Sequence, residues 1–429
     1  MGGPHVSFDA DGILKNNPFI DFIVRGEGEL TFTELLGHLK AGANYSGVKG
    51  VSYRQNGMIV HNEDRPLIPD INILPGPARH LVPLSRYRAL GFPISMVTSR
   101  GCPYKCIFCV GARMVGHRVR NFDVGRVVDE FAELSRMGFI QINIVDDLFT
   151  ANQARCMEIC DEIVRRGIVH PWGAFARVDS VSPQLLEKMK KAGCTALCFG
   201  IESGDQAILD RIKKKTTLEK CRIAARICRE AGIEPMMSFI LGLPGETAET
   251  ARTTMEFART LSNSYGFHVL SPFPGTEVRD RADEYGMKVL TDDWDLYDAN
   301  HAVMDPGSIA PEEVERLANW FVNGITEYID DLEPRKARGE ALSESDERAL
   351  QGVRSFRFNR TLILEELIER YTGITNGGGR DALLLDFVDY LASSFGLSRN
   401  EINDQVQRLI NHNCIVLRSD AQGARICWT

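Results

Sequence analysis

The sequence predicts an α/β fold, a partial (β/α)6, TIM-like barrel followed by a mostly helical C-terminal domain. Between about residues 91 and 307, apolar strand-like runs alternate with helical stretches, which is typical of right-handed βαβ units and a parallel sheet. About six such units fit into this span, fewer than the eight of a closed barrel. We therefore divide the chain into three parts, residues 1–90, 91–307 and 308–429.

Composition excludes several classes of protein. A hydrophobic content of 44% over 429 residues supports a sizeable core and excludes a largely disordered chain. The 50 basic and 58 acidic residues give a net charge of −8, which argues against an extended nucleic-acid surface. No apolar run reaches the ~18 residues of a membrane span, and we see no export signal. The 11 cysteines are therefore expected in a reducing cytoplasm, and their odd number favours metal binding or reactive thiols over a disulfide framework.

Residues 1–90 combine a helix, a hairpin and a linker. Leucines recur at helical spacing in a predicted helix over 28–40. A predicted hairpin follows, with strands over 50–55 and 58–61 joined by the turn pair Asn56-Gly57. Five prolines between residues 66 and 83 then indicate an extended linker.

The barrel region supplies six strands and five helices. The predicted strands are 94–99, 139–145, 173–178, 195–201, 235–241 and 266–271. The predicted helices between them are 124–137, 153–166, 183–192, 218–231 and 247–261. In parallel barrels the chemistry lies at the C-terminal ends of the strands, so functional residues are expected there.

The C-terminal part is mostly helical. Pro311 opens an amphipathic helix that reaches Leu332, with two glutamates in its first turn. Residues 335–347 are charged and predicted to be exposed. A helix pair, 382–395 and 399–410, precedes a short strand over 414–417. A winged-helix-like module would share this pattern, but no basic face accompanies it, so we prefer a small helical cap on the barrel.

Three cysteines stand in one short loop after the first barrel strand, as Cys102-x3-Cys106-x2-Cys109. Chance clustering and a zinc site are alternatives, but zinc usually takes its ligands in pairs, and we see no second pair. Three thiolates can instead hold a four-iron four-sulfur cluster and leave one iron without a protein ligand. That iron could chelate the amine and carboxylate of a small molecule.

With this motif the chain resembles the radical S-adenosylmethionine superfamily over about residues 93–290. The resemblance implies that Cys102, Cys106 and Cys109 bind a 4Fe-4S cluster whose open iron takes the methionine part of S-adenosylmethionine. In that family, one electron from the cluster cleaves the cofactor and produces a 5′-deoxyadenosyl radical that abstracts hydrogen. By the same resemblance, Phe108 lies near the adenine.

Polar residues at the ends of later strands extend this interpretation. Asp147 follows the second strand, where the family often has a Gly-Gly-Glu motif that holds the amino group of the cofactor, and the sequence departs from that motif. Arg177 ends the third strand and could pair with the carboxylate of the cofactor. Glu202 ends the fourth strand, within reach of a ribose or amino group. Ser238 opens the stretch to Glu246 that resembles the adenine-contacting segment of the family. For each residue alone, an ordinary loop position is the alternative.

The remaining polar and sulfur-containing motifs receive structural interpretations. Buried cysteine commonly acts as a small hydrophobe, so six cysteines are assigned to the core, namely Cys156, Cys160, Cys194, Cys198, Cys221 and Cys228. The run Lys213-Lys214-Lys215 follows a helix and is interpreted as a solvated helix end rather than a phosphate site.

The front of the chain resembles the last part of the cobalamin-binding domain that precedes the barrel in one subfamily. The resemblance rests on Gly2-Gly3-Pro4-His5, on residues 21–29 and on the hairpin and linker. It implies a remnant of a doubly wound domain, with only its last one or two βα units. Cobalamin would suit a full-length form, but most walls of its slot are missing, so we expect weak binding or none.

Half a doubly wound sheet leaves apolar edges open, which favours an N-terminally shortened reading frame. A natural form that works without cobalamin, or a partner chain that supplies the missing half, are the alternatives.

The expected function is that of a cytoplasmic radical S-adenosylmethionine enzyme. Methyl transfer to an unactivated carbon of a small-molecule or lipid substrate is favoured, and cobalamin-independent oxidation, cyclisation or rearrangement is the alternative. The resemblance also implies a one-electron donor such as flavodoxin or ferredoxin. An alternative from another class is a non-catalytic metal or nucleic-acid binding module that uses the three cysteines and the C-terminal helix pair.

Overall fold

The computed structural model describes residues 1–373, 379–420 and 423–429. These residues form two compact units. Unit one comprises residues 1–75, 96–130 and 143–323, and unit two comprises residues 76–95, 131–142 and 324–429. No described helix is both long enough and apolar enough to cross a membrane.

The N-terminal residues of unit one form three helices beside a three-stranded antiparallel sheet. The helices are α1 (Pro4–Phe8), α2 (Ala10–Asn16) and α3 (Gly28–Lys40). The strands, in sheet order, are β1 (Phe22–Val24), β2 (Val51–Gln55) and β3 (Met58–His61). The predicted helix and hairpin are confirmed, and Asn56 and Gly57 have φ of 51° and 78°, as the hairpin turn requires.

The cysteine loop lies between two short strands that leave the main sheet. After β4 (Ile94–Met96), β5 (Ser99–Arg100) pairs antiparallel with β6 (Arg120–Asn121). The predicted strand over 94–99 is therefore interrupted. The interruption coincides with Thr98, whose N–H and hydroxyl both donate to the carboxylate of Asp146 rather than to a strand neighbour.

The predicted parallel sheet is confirmed, with β4 as its first strand. The other strands are β7 (Ile142–Ile144), β8 (Trp172–Ala176), β9 (Cys194–Glu202), β10 (Glu234–Leu241) and β11 (Tyr265–Val269). Their order is β11-β10-β9-β8-β7-β4, so sheet neighbours follow one another along the chain, as expected for successive βαβ units. A further pair, β12 (Lys288–Val289) and β13 (Met304–Asp305), is antiparallel.

Several helices of this region begin at a residue whose polar side chain caps the helix N-terminus. They are α4 (Leu84–Ala89), α5 (Gly111–Val115), α6 (Val124–Ser135), α7 (Gln153–Arg165), α8 (Pro183–Lys191), α9 (Gln206–Arg211), α10 (Leu218–Glu230), α11 (Ala248–Leu261) and α12 (Glu277–Asp280). The side chains of Asn152, Ser182, Thr217 and Thr247 each accept a hydrogen bond from the N–H three residues on. These caps start α7, α8, α10 and α11 within one residue of the predicted positions.

Alternation along the strands separates a packed face from an open one. On β10, Met237, Phe239 and Leu241 are buried, whereas Met236 is exposed and Ser238 is half-buried. Helices α10 and α11 contact this strand, so the buried residues face the helices. The other side is the open inner face of the partial barrel.

The C-terminal residues form five helices and a hairpin. The elements are α13 (Pro311–Ala337), α14 (Glu344–Leu364), α15 (Leu367–Arg370), α16 (Arg380–Phe395), α17 (Arg399–Asn411), β14 (Ile415–Asp420) and β15 (Gly423–Trp428). The predicted helix pair is confirmed, and α13 continues about one turn beyond Leu332. The sequence did not predict α14, which a capping box at Ser343 starts, nor the second strand of the hairpin.

Unit two has an apolar core of its own. Helices α14, α16 and α17 contribute most of it, and the hairpin closes it. Its buried members include Phe358, Leu362, Leu383, Phe387, Leu391, Ile402, Val406, Leu409, Ile415 and Ile426.

Candidate functional site

The backbone of Ile107, between the second and third cysteines, fixes the cysteine loop. Its N–H donates to the carbonyl of Ile212 at 3.2 Å, and its carbonyl accepts from the N–H of Val278 at 3.0 Å. The Ile107 side chain is fully buried in an apolar cluster against which Phe108 packs. Two segments of unit one that are distant in sequence therefore fix the backbone of the loop between Cys106 and Cys109.

The entry to the loop requires glycine. Gly101 has φ of 109°, and a Cβ there would collide with the carbonyl oxygen of Arg118. Its N–H donates to Oδ2 of Asp147 at 2.8 Å. The next residue, Cys102, donates its N–H to the carbonyl of Gly116 at 3.2 Å. The predicted site residue Asp147 thus lies beside the cysteine loop.

The three thiols lie near one another. Cys102 and Cys106 are half-buried and Cys109 is exposed as a residue, with its sulfur accepting a hydrogen bond from Gly111. Burial raises the pKa of the Cys109 thiol, and the neighbouring Cys106 and Cys102 add to the rise. Burial likewise raises the pKa of Cys106, and the positive charge of nearby Lys214 offsets part of this rise.

This donor set fits a cluster better than a single ion. Among the described residues, no three His, Cys, Asp or Glu side chains converge on one metal ion. In a 4Fe-4S cluster each thiolate binds a different iron atom, so the sulfur atoms stand further apart than the ligands of one ion. Three neighbouring thiols on one anchored loop suit that arrangement.

A buried ion pair lies next to the loop. Glu202 ends β9 with φ of 74°, a left-handed conformation that is costly for a residue other than glycine. Its Oε1 lies 2.6 Å from Nζ of Lys214, and both side chains are less than one-tenth exposed. The Lys214 ammonium also lies 5.9 Å from the ring centre of Phe108. The structure therefore brings predicted residues Glu202 and Phe108 together around a lysine.

The interpretation of the lysine run as a solvated helix end is wrong for its central member. Lys214 is buried, whereas Lys213 pairs with Glu277 and Lys215 is exposed. Three consecutive lysines carry no periodic pattern, so the sequence did not indicate which one turns inward. Sequence reasoning therefore missed Lys214 as a site residue.

Arg177 is buried at the end of β8 and already has a partner. Its Nε and Nη2 donate to the carboxylate of Asp179, both at 3.0 Å, and Nη2 also donates to the carbonyl of Lys214 at 2.7 Å. Its guanidinium lies 3.5 Å from the ring centre of Tyr104 in the cysteine loop. Burial opposes the charge, but the hydrogen bonds to Asp179 raise the pKa of Arg177.

The two aspartates after β7 have different surroundings. Asp146 is buried and accepts from the hydroxyls of Thr98 and Ser99 at 2.6 Å each, so it links two strand ends. Asp147 is exposed and holds Gly101 through one oxygen. The structure therefore distinguishes a structural carboxylate from one that is accessible next to the thiols.

Ser238 is half-buried within β10, on the open inner face. The segment that follows contains Glu246, which is fully buried and accepts from the N–H of Gly242 at 2.6 Å. Its Oε1 has no hydrogen-bond partner among the described residues. Burial raises the pKa of this carboxyl to about 8, so it is mostly protonated at neutral pH.

The core assignment of the other cysteines is confirmed with one exception. Five are buried, namely Cys156, Cys160, Cys194, Cys221 and Cys228. The assignment is wrong for Cys198, which is half-buried because it lies on the open side of β9.

Comparison with known proteins identifies the family. The family described as the radical SAM superfamily matches residues 96–258. An uncharacterized methyltransferase of Pyrococcus horikoshii is 37% identical over 320 residues, which cover 74% of this chain and 70% of the relative. An anaerobic magnesium-protoporphyrin IX monomethyl ester cyclase of Rubrivivax gelatinosus is 30% identical over 345 residues, which cover 75% of this chain and 60% of the relative.

A solved structure shows the same fold over almost the whole chain. The cobalamin-dependent S-adenosylmethionine radical enzyme OxsB, with aqua-cobalamin and S-adenosylmethionine bound, aligns with a TM-score of 0.64 at 17% identity. The alignment covers 96% of this chain and 66% of that protein. The chain thus spans only about three-fifths to two-thirds of several proteins that it matches. The family match and the Pyrococcus horikoshii relative together show that the chain belongs to the radical SAM superfamily.

Proposed function

We propose that the chain is the core of an enzyme that uses S-adenosylmethionine and a 4Fe-4S cluster to methylate an unactivated carbon. The cofactors follow from the superfamily, and a methyltransferase among the relatives supports the reaction. The observation that carries the proposal is the anchored loop with three neighbouring thiols beside the buried pair Glu202–Lys214. The cluster and cofactor would supply one-electron cleavage of a carbon–sulfur bond.

We propose that Cys102, Cys106 and Cys109 hold the cluster. Burial raises the pKa of the Cys106 thiol, but two buried cations, Lys214 and Arg177, oppose this rise and so favour the thiolate that metal binding requires. Charge compensation at the loop supports this assignment.

The other predicted residues are proposed to contact S-adenosylmethionine. Asp147 offers a carboxylate beside the thiols for an amino group, and Phe108 offers a ring for the adenine. Glu202 accepts from Lys214 through Oε1, and its second oxygen suits a ribose hydroxyl. Arg177 bonds to Asp179 through Nε and Nη2, so Nη1 is the atom proposed to meet a carboxylate. Ser238 is proposed to line the adenine side.

The substrate is proposed to be a small molecule or lipid with an apolar surface. The open inner face carries the exposed apolar side chains of Val145, Phe175 and Met236. Ser238 and Cys198 are half-buried on the same face. Such a lining favours hydrocarbon or ring surfaces over highly charged substrates. We further propose a cytoplasmic location and a flavodoxin- or ferredoxin-like electron donor.

Anaerobic reconstitution with iron and sulfide tests the proposal. The chain should acquire a brown absorbance that a Cys102/Cys106/Cys109→Ala triple variant lacks. With a reductant and isotope-labelled S-adenosylmethionine, a candidate apolar substrate should acquire the labelled methyl group. Formation of 5′-deoxyadenosine with an oxidised or cyclised product would point to the alternative radical reaction. A colourless protein that carries stoichiometric zinc would overturn the proposal.

A further inference from the structure

One buried carboxylate, Glu27, joins the N-terminal segment to the cysteine loop. Glu27 lies immediately before α3, and its side chain is only 3% exposed. Its Oε1 accepts from Nη1 of Arg100 at 3.0 Å, and its Oε2 accepts from Nη1 of Arg120 at 2.8 Å. Oε2 also accepts from the N–H of Ile68 at 2.7 Å. All four residues belong to unit one.

The two arginines mark the two ends of the cysteine loop. Arg100 and Arg120 are direct partners in the β5–β6 pair, so residues 101–119 form a closed loop above them. Arg120 also donates to the carbonyl of Val115 at 2.7 Å and to that of Ile68 at 2.6 Å. Glu29, two residues beyond Glu27, pairs with Arg100 as well. One carboxylate thus bridges both ends of the loop that bears all three cysteines.

The burial of this cluster makes each partner depend on the others. Arg120 is 8% exposed, so its charge requires a nearby carboxylate. Although burial favours the neutral form of Glu27, hydrogen bonds from Arg120, Ile68 and Arg100 lower its pKa, and the carboxylate stays ionised. Removal of the negative charge of Glu27 would leave the positive charges of Arg100 and Arg120 less well neutralised at the base of the loop.

We propose that Glu27 is a positioning residue that holds the base of the cysteine loop through Arg100 and Arg120 and so sets the spacing of the three thiols. The role of the loop as cluster holder rests on the proposed function. The contacts of Glu27 with the base of the loop do not depend on the proposed function, because they join protein groups alone. On this proposal the N-terminal segment is part of the foundation of the cluster site.

Hydrogen–deuterium exchange of the chain before reconstitution tests directly whether Glu27 restrains the cysteine loop. Glu27→Gln removes the charge but keeps the size of the side chain. We expect faster exchange within residues 101–119, where the N–H of Cys102 bonds to Gly116, and unchanged exchange within β10. Arg54→Met is the control, because within the described part of the chain Arg54 donates to carbonyls of residues 14–20 in the same N-terminal segment and not to the cysteine loop. It should loosen that segment and leave residues 101–119 unchanged.

A second measurement follows the reconstituted protein. Loss of residues that support metal ligands typically weakens metal binding by 10–100-fold, so Glu27→Gln should lose its cluster to a chelator about 10-fold faster than the unchanged chain. Its electron paramagnetic resonance spectrum should also respond differently to S-adenosylmethionine, whereas Arg54→Met should match the unchanged chain in both respects.

Unchanged exchange in residues 101–119 of Glu27→Gln would overturn the proposal, and so would equal loosening by Arg54→Met. If the unchanged chain acquires no cluster, the proposed function fails, while the exchange result still decides whether Glu27 holds the loop.

Discussion

At the scale of single residues, cysteines with the same chemistry have separate roles because of where they lie. The thiols of residues 102, 106 and 109 lie on one loop with cations nearby, whereas that of Cys156 is buried and donates to the carbonyl of Phe149 at 3.0 Å. Burial raises the pKa of Cys156 to about 12, so this thiol stays protonated and is a poor metal ligand.

Single alanine substitutions separate these roles. Cys102→Ala, Cys106→Ala and Cys109→Ala should each abolish reductive cleavage of S-adenosylmethionine, because a cluster with two protein ligands is unstable. Cys156→Ala should lower the free energy of unfolding by about 1 kcal/mol and leave cleavage intact. Production of 5′-deoxyadenosine and denaturant unfolding measure the two effects. Loss of cleavage in a folded Cys156→Ala protein would contradict the assignment to the core.

Glu246 makes stability depend on pH. Burial raises its pKa from 4.5 to about 8 in the folded chain, so the folded state holds a proton that the unfolded state releases earlier. The contribution of this proton to the free energy of unfolding is complete below pH 4.5 and is lost as pH rises to about 8. Glu246→Gln should remove this part of the pH dependence, as followed by thermal unfolding across that range. Glu256→Gln, which changes an exposed carboxylate, should retain it.

At the scale of elements, the cysteine loop depends on backbone geometry at its entry. Gly101 has a positive φ and lies against the carbonyl of Arg118, so a side chain there is excluded by both conformation and space. Its N–H also fixes Asp147, which couples the loop to the end of β7. A substitution of this glycine should therefore shift the positions of the cysteine thiols, although the glycine does not contact them.

Gly101→Ala should distort the loop and cost about 1–3 kcal/mol in the free energy of unfolding, with loss of most of the cluster on reconstitution. Gly125→Ala is the matched control, because a Cβ on this residue of α6 meets no atom within 4 Å. That change should alter the free energy of unfolding by no more than about 0.5 kcal/mol and leave iron content unchanged. Iron content and denaturant unfolding check both. Full iron content in Gly101→Ala would show that the loop tolerates the shift.

At the scale of the whole molecule, the described residues divide into two units, and the second has its own core. Phe387 is fully buried there among residues of α14, α16 and α17. Phe387→Ala should lower the free energy of unfolding of this unit by about 3–5 kcal/mol, because it removes a large buried ring. Hydrogen exchange should rise in residues 380–411 before it rises in β9 and β10. A simultaneous rise in both would show that the units unfold together.

The sequence by itself determined the features that depend on local pattern. Strand and helix alternation predicted the six-stranded parallel sheet, and the spacing of Cys102, Cys106 and Cys109 indicated the family later found by comparison. Weak periodicity is the reason that α14 escaped prediction, since the exposed Phe356 and Leu364 place apolar side chains opposite the buried face of the helix.

Only the tertiary structure decided which charged residues are partners. Lys214 turns inward to Glu202, Arg177 is already paired with Asp179, and Glu27 meets Arg100 and Arg120 across 73 and 93 residues of sequence. A charged side chain shows no periodicity that reveals its partner, because the free energy of a buried ion pair depends on distance and burial, which folding alone creates.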